Sequence, residues 1–284
     1  MTNIDVANWG EFEARLQEVS QREVSAGHTT NFLYRGQNDS AWELTTTLER
    51  RGRQRMRVSD YHQLISRVKP QIESFTGRTW EIPDYPEVER RLRDYEGWSF
   101  PKFPDPATYS YMVHLRHHGF PSPLLDWTRS PYIAAYFAFT SASEPSCGKV
   151  SIYVYSESPR GLKGTSSYKP QIRVIGPFVR THPRHFLQQC DYTVCAEFLK
   201  VGDCLYEWRF AGHEEITSGA DGVQDVVWKL NIPWSERRKV VNMLDAYNLN
   251  SFSLFGTEES LMEMLVVREM EFAKGDDRAS AIAP

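Results

Sequence analysis

Cysteine is scarce in this chain of 284 residues, which has four cysteines and no C-x-x-C pair. The first residues also lack the basic and apolar segments of a secretory signal. We therefore expect reduced thiols and a cytoplasmic location. A zinc site could be imagined at Cys190, Cys195, His182 and His185, but these spacings match no standard zinc pattern. We expect no metal site.

Long apolar runs are missing as well. The longest, from Tyr132 to Phe139, is too short to span a bilayer, so we expect no membrane partner. The sequence contains no Gly-x-Ser-x-Gly elbow, no Walker loop and no Gly-x-Gly-x-x-Gly turn. The common hydrolase, P-loop and Rossmann interpretations therefore lack support. The net charge of −4 argues against wholesale polyanion binding, although a local basic face is possible.

What the chain does contain is apolar and aromatic: 40% of its residues are hydrophobic and 13% are aromatic. This is enough for a substantial core. We predict one α+β domain at 31–273, preceded by an N-terminal helix within 1–30. We expect an irregular insertion at 78–105 and a disordered tail at 274–284.

The spacing of apolar residues predicts the elements of this domain. Helical periodicity marks segments around Trp9, Tyr61, Tyr109, Val240 and Leu261. Runs of β-branched or aromatic residues predict strands at 31–37, 150–155, 171–175, 192–198 and 226–232. In the 192–198 run apolar residues alternate with others, which predicts that one face of this strand is buried.

The stretch from His117 to Pro131 concentrates polar groups between an apolar segment and a helix. Ser130 and Pro131 predict the start of that helix, with serine as N-cap. Helix N-termini favour bound anions, and imidazole with carboxylate can serve acid–base chemistry. Taken singly, each residue is explained by capping, turn formation or core packing. Together they indicate a binding site.

Three other stretches could contribute to such a site. In Tyr34-Arg35-Gly36-Gln37, a guanidinium at a strand end could bind phosphate or carboxylate bidentately. Gln188 and Gln189 precede the alternating strand and could bind ribose or tie down a loop. The segment 49–69 is rich in arginine, which suggests either a phosphate-binding face or ordinary solvated surface.

Taken in order, these motifs resemble those of the FRG domain family. The Tyr34-Arg35-Gly36 motif is followed by Trp42 and Leu44, and the stretch from His117 to Thr128 is similar to the family's His-Tyr-Gly-x-Pro-Thr-Arg-Leu-Leu-Asp-Trp-Thr. Gln188-Gln189-Cys190 resembles a Gln-Gln-Gly motif. The chain departs from the family at His118 (usually tyrosine), at Ser122-Pro123 (Thr-Arg) and at Cys190 (glycine).

The layout of the FRG domain is in turn similar to that of ADP-ribosyltransferases, which implies a mixed or antiparallel split sheet flanked by helices. In that scheme Arg35 grips NAD, Thr128 and Ser130 orient the nicotinamide ribose, and a later acid or amide completes the catalytic set. The candidates for this last position are Gln189, Glu197 and Glu207. The implied NAD-binding residues are Tyr34, Arg35, Gly36, Gln37, His117, His118, Asp126, Trp127, Thr128, Ser130 and Gln188.

The resemblance thus implies an NAD-using ADP-ribosyltransferase that modifies a macromolecule, either nucleic acid (RNA) or protein. Such a protein would act as a bacterial toxin or antiphage effector, with an antitoxin or chaperone as a possible partner. The alternative is a non-catalytic domain that recognises a nucleotide or phage component and signals to a partner. A hydrolase using His117 and Asp126 lacks a visible positioned nucleophile.

Overall fold

The computed structural model describes residues 1–25, 31–93, 103–157, 163, 169–201, 205–217 and 225–271. The described strands are β1 (Thr2–Asp5), β2 (Leu33–Gln37), β3 (Leu125–Thr128), β4 (Lys149–Ser156), β5 (Gln171–Val174), β6 (Cys190–Val201), β7 (Leu205–Phe210) and β8 (Val226–Pro233). The described helices are α1 (Trp9–Ser25), α2 (Val58–Thr76), α3 (Tyr85–Arg93), α4 (Pro106–His117), α5 (Pro131–Phe139), α6 (Arg184–Leu187), α7 (His213–Thr217), α8 (Arg237–Ala246), α9 (Ser251–Phe255) and α10 (Glu258–Val266).

The strands form one sheet in the order β1-β8-β4-β2-β3-β6-β5, and β7 also pairs with β6. The β1–β8 pair is parallel and the other pairs are antiparallel. β5 runs along one edge of β6, while β3 and β7 follow one another along the other edge. The predicted mixed sheet flanked by helices is confirmed. No helix in the described ranges is both long and apolar enough to cross a bilayer.

Three features differ from the sequence expectations. Within 78–105, where we expected irregular structure, residues 85–93 form α3. β6 is buried on both faces from Cys190 to Phe198, rather than on one. Its even-numbered positions pack in one core cluster, and Cys195 packs in another on the opposite face. A strand between two core layers needs no polar face. The predicted tail at 274–284 lies outside the described residues.

Helix α5 begins as the sequence predicts. Ser130 is the N-cap, its side chain accepts a hydrogen bond from the amide of Ile133, and Pro131 occupies the first turn. The helix is apolar around most of its circumference because it packs between β2, β4 and α8. β2 and β3 are thereby held against a common helix, which places their two sequence motifs side by side.

A buried carboxylate ties the loop after β2 to the loop before β4. Asp39 accepts hydrogen bonds from the amide and hydroxyl of Ser146, at 2.9 and 2.6 Å, and from the amide of Ala41 at 2.8 Å. Burial by itself raises the pKa of Asp39, but these hydrogen bonds outweigh it and lower the pKa to about 2. The ionised form is therefore the one that the fold stabilises.

We expect Asp39→Asn to lower the free energy of unfolding by about 2 kcal/mol at pH 7, because the amide cannot accept all of these hydrogen bonds. The folded-state pKa lies below the unfolded one, so the carboxylate's contribution is present above about pH 4 and is lost as the pH falls towards about 2. Urea unfolding of the wild type and of Asp39→Asn at pH 7, 5 and 3 measures this contribution. A difference between the two proteins that stays constant down to pH 3 would contradict this assignment.

Candidate ligand-binding site

A cavity of about 860 Å³ opens where β2 and β3 separate. The two strands share a single register pair, Tyr34 with Thr128, and both strands contribute to the cavity wall beyond it. Its volume lies within the usual range for small-molecule sites. The lining residues are Tyr34, Arg35, Gly36, Gln37, Asn38, Ala41, Trp42, Glu43, Thr45, Arg50, Arg116, His117, Asp126, Trp127, Thr128, Phe137, Thr140, Arg184, Gln188, Cys190 and Phe255.

Arg35 of β2 contacts β3 beyond the point where the two strands separate. Its Nη1 donates a hydrogen bond of 2.6 Å to the backbone carbonyl of Asp126 and lies 4.0 Å from Oδ2 of the same residue. A guanidinium thus satisfies a strand carbonyl at the point where the ladder between β2 and β3 ends. The Arg35 side chain is only 14% exposed, so this cation is largely removed from water.

Arg116 holds the Asp126 side chain from the other side. Its Nε and Nη2 each donate a hydrogen bond of 2.7 Å, one to each carboxylate oxygen. Burial alone would raise the pKa of Asp126, but the charges of Arg116 and Arg35 and the hydrogen bonds from Arg116 bring it below its ordinary value. Asp126 is therefore an ionised, doubly paired anchor rather than a free proton acceptor.

The cavity has an excess of positive charge. Four arginines line it (Arg35, Arg50, Arg116 and Arg184), against the two carboxylates of Glu43 and Asp126. Burial lowers the pKa of Arg35; Asp126 opposes this shift, and the charges of Arg116 and Arg50 add to it. Crowding of like charges that the two carboxylates do not neutralise favours an anionic ligand.

Polar atoms among the lining residues lack partners in the described part of the chain. They are Nε of Arg35, Nε of Arg184 and Oε1 of Gln37, and each is shielded from solvent. Buried polar atoms are nearly always hydrogen-bonded, so these three atoms are exceptions that lie in residues of the cavity wall. The guanidinium of Arg184 also lies 5.2 Å above the ring of Phe255, which orients it at the cavity wall.

The predicted site residues divide into two groups. Those that line the cavity are Tyr34, Arg35, Gly36, Gln37, His117, Asp126, Trp127, Thr128 and Gln188. Arg35 and the Asp126-Trp127-Thr128 segment therefore border one common cavity. Those that do not line it are His118, Ser130, Gln189, Glu197 and Glu207. Ser130 caps α5, and the exposed His118 packs its ring against His114 at 4.4 Å between centroids.

All three candidates for the last catalytic position lie outside the cavity wall. Gln189 is exposed, with a left-handed backbone (φ 49°), and its carbonyl accepts a hydrogen bond from the amide of Arg129. Glu197 is buried and forms an ion pair with Arg55. Glu207 forms ion pairs with Arg57, the N-cap of α2, and with Arg209 of β7. The carboxylates of Glu197 and Glu207 are engaged in ion pairs, and none of the three candidate side chains lines the cavity.

Several lining residues were missed. Arg116 precedes the paired histidines directly, but nothing in the sequence shows that its side chain returns to Asp126 ten residues later. Arg50 belongs to the arginine-rich stretch, whereas Arg184 and Phe255 come from α6 and α9, whose tertiary packing brings them to the cavity. Glu43 stands between the Trp42 and Leu44 positions noted in the sequence and was not singled out.

One wall of the cavity contains a cluster of possible metal ligands. His117, His185 and Cys190 each offer a donor atom, and these atoms lie within 4.8 Å of one another. The set differs from the one imagined from sequence. Cys195 lies five positions beyond Cys190 along β6 and so faces the opposite side, where its thiol contacts the carbonyl of Gly212.

Comparison with known protein families identifies a match. The sequence model of the FRG domain matches residues 30–147, which include β2, β3, α5 and most of the residues that line the cavity. No curated protein matches the chain, and no solved structure matches it. The Tyr34-Arg35-Gly36 motif and the stretch from His117 to Thr128 lie within the match, whereas Gln188-Gln189-Cys190 lies beyond it. The chain contains an FRG domain at residues 30–147.

Proposed function

We infer that the cavity binds NAD and that the chain is an ADP-ribosyltransferase that modifies a macromolecule. The observation that carries this proposal is the cavity itself, in which arginines outnumber carboxylates and buried donor atoms lack partners. A pyrophosphate would supply anionic acceptors for the arginine side chains that line the cavity.

The chemistry requires a negative group beside the reacting sugar. Breaking the nicotinamide glycosidic bond develops positive charge on the ribose, as in glycoside hydrolysis. Asp126 is already held by two arginines. Glu43 is the cavity carboxylate with no ion pair among the described residues, so we assign to it the role first sought at Gln189, Glu197 or Glu207.

The surface near the cavity favours a nucleic acid such as RNA as acceptor. Arg50 lines the cavity, and Arg51 and Arg53 follow it as exposed residues with no ion pair in the described ranges. By contrast, Arg55 and Arg57 are bound to carboxylates, which reduces the basic face expected from the sequence. Phosphate contacts by unpaired arginines dominate nucleic-acid affinity. A toxin or antiphage role, with an antitoxin or chaperone that neutralises it, belongs to the same proposal.

A second function is favoured by the state of Asp126. Because two arginines hold this carboxylate, the cavity offers a single free acid to stabilise a cationic transition state. A domain that recognises a nucleotide and signals to a partner needs the arginines but no such acid. This alternative predicts stoichiometric binding of NAD or a related nucleotide without nicotinamide release.

Calorimetric titration with NAD, followed by incubation with labelled NAD and cellular RNA or protein, tests both functions. We expect saturable NAD binding, and Ala41→Trp should weaken it by at least about tenfold because the indole fills the cavity mouth from an exposed position. Gln63→Trp, on the exposed face of α2, is the matched control and should bind normally.

The outcomes separate the two functions. Label transfer that Ala41→Trp and Glu43→Gln both reduce supports the transferase. Binding that Ala41→Trp weakens, with neither transfer nor nicotinamide release, supports the recognition domain. Absence of NAD binding by the wild-type chain would overturn the assignment of the cavity to NAD.

A further inference from the structure

We propose that His117, His185 and Cys190 form a zinc site on the wall of the cavity, with the Tyr192 oxygen beside the fourth position. The donors come from the end of α4, from α6 and from the start of β6. The ligand atoms of His117, His185 and Cys190 lie within 4.8 Å of one another, although His117 and Tyr192 are 75 positions apart along the chain.

The hydroxyl of Tyr192 lies next to the three proposed ligands. It lies 2.8 Å from Nε2 of His117 and 3.3 Å from Nδ1 of His185. Neighbouring donors of a tetrahedral zinc site are separated by roughly 3 to 4 Å, as follows from metal–ligand bonds of about 2.0 to 2.3 Å. The two distances from the Tyr192 oxygen are hydrogen-bond lengths, and the donor atoms of His117, His185 and Cys190 lie within 4.8 Å of one another, so a small contraction among these three would enclose the ion.

The ring of His185 is oriented as metal-binding histidines usually are. Its Nε2 lies 2.9 Å from the carbonyl oxygen of Pro177 and donates its proton there, since a carbonyl can only accept. Nδ1 of the neutral ring then presents a lone pair to the cluster. In a metal-bound imidazole, the ring nitrogen that does not bind the metal typically donates a hydrogen bond to a carbonyl or a carboxylate.

Burial and donor chemistry favour zinc. His185, Cys190 and Tyr192 are almost fully buried. Of the three proposed ligands, His117 and Cys190 line the cavity. Two imidazoles and a thiolate are typical zinc ligands. The thiol must lose its proton to bind the ion; burial raises its pKa to about 12 when no metal is present.

A zinc ion in this cluster would change the charge of the cavity. Because His117 and Cys190 face it, a bound Zn²⁺ would add positive charge to the same cavity that contains Arg116. Cys190 occupies the position at which the Gln-Gln-Gly motif of the FRG domain family has glycine. The family motif therefore lacks this sulfur ligand. The site would also link α4 and α6 to β6.

Titration of the metal-free full chain with Zn²⁺ against a chromogenic chelator tests the site. We expect one equivalent to bind, with affinity weakened by about 100-fold or more in Cys190→Ser and in His185→Gln. Cys147→Ser removes an exposed cysteine outside the cluster and should bind as the wild type does. Substitution with Co²⁺ should give a thiolate-to-cobalt charge-transfer band and the visible spectrum of a tetrahedral ion.

The proposal fails if the wild-type chain shows no saturable binding, if Cys190→Ser and His185→Gln bind Zn²⁺ as tightly as the wild type, or if the cobalt protein lacks the charge-transfer band. Circular dichroism of the metal-free variants checks that each one folds. If Cys190→Ser does not fold, the cobalt spectrum of the wild-type chain still decides whether sulfur is a ligand. None of these measurements depends on NAD.

Discussion

Gly36→Ala is expected to lower the free energy of unfolding by about 3 kcal/mol, because a methyl group there collides with the backbone of α5. A Cβ at this position would lie 2.6 Å from the amide nitrogen of Ala138 and closer still to the carbonyl oxygen of Ala134. Both are backbone atoms of a helix, so they cannot move away as a side chain could. The glycine of the Tyr34-Arg35-Gly36 motif therefore permits the close approach of β2 to α5.

Denaturant unfolding of Gly36→Ala beside Gly10→Ala measures this effect. Gly10 lies in α1, where a Cβ would meet only the side chain of Asn8 at 3.3 Å. Alanine there gains helix propensity, and we expect a change within about 1 kcal/mol. Equal stability of Gly36→Ala and wild type would mean that β2 and α5 are farther apart than described. A loss of NAD affinity should accompany the loss of stability, since β2 supplies Arg35.

Arg35→Ala is expected to lower affinity for NAD by about 100-fold, or about 2.7 kcal/mol, and to cost stability much less. The Arg35 side chain lines the cavity, and its contacts with Asp126 are one hydrogen bond to the backbone carbonyl and an ion pair of 4.0 Å with the carboxylate. Loss of that bond costs about 1 kcal/mol, because Arg116 still holds the Asp126 side chain. Calorimetric titration gives the affinity, and denaturant unfolding gives the stability.

Two further variants separate charge from geometry at this position. Arg35→Lys keeps the charge but loses the planar fork, and should recover only part of the affinity. Arg53→Ala removes the same charge from an exposed position outside the cavity, and should bind almost as the wild type does. If Arg35→Ala unfolds the chain, the arginine is structural. If it binds NAD normally, the cavity is not the NAD site.

Much of the fold was predictable because its elements follow local rules. The apolar periodicity of α1, α2 and α4 and the β-branched runs of β4 and β8 mark these elements in the sequence. Ser130 and Pro131 predict where α5 begins. β1 and β3 were not predicted as strands from their own composition, since each is only four residues long. Their extended conformation comes from pairing with β8 and β6.

The candidate site was predictable only in part. Arg35, Asp126 and Thr128 stood out because their motifs combine reactive groups with turn residues, and they do share a cavity. Glu197 and Glu207 were chosen for their chemistry alone. Whether a carboxylate is free or already paired depends on which arginines fold back onto it, and Arg55 and Arg57 are more than 100 positions away from these acids.

The sequence by itself determined the FRG domain, the helix cap at Ser130 and the two motifs that border the cavity, because each depends on residue types at short spacing. Only the tertiary structure decided that β2 and β3 part after one residue pair, that Arg116 and Arg35 hold Asp126 from two sides, and that His117, His185 and Cys190 converge. These contacts join residues from separate elements, and their geometry is set by the packing of the whole sheet against its helices.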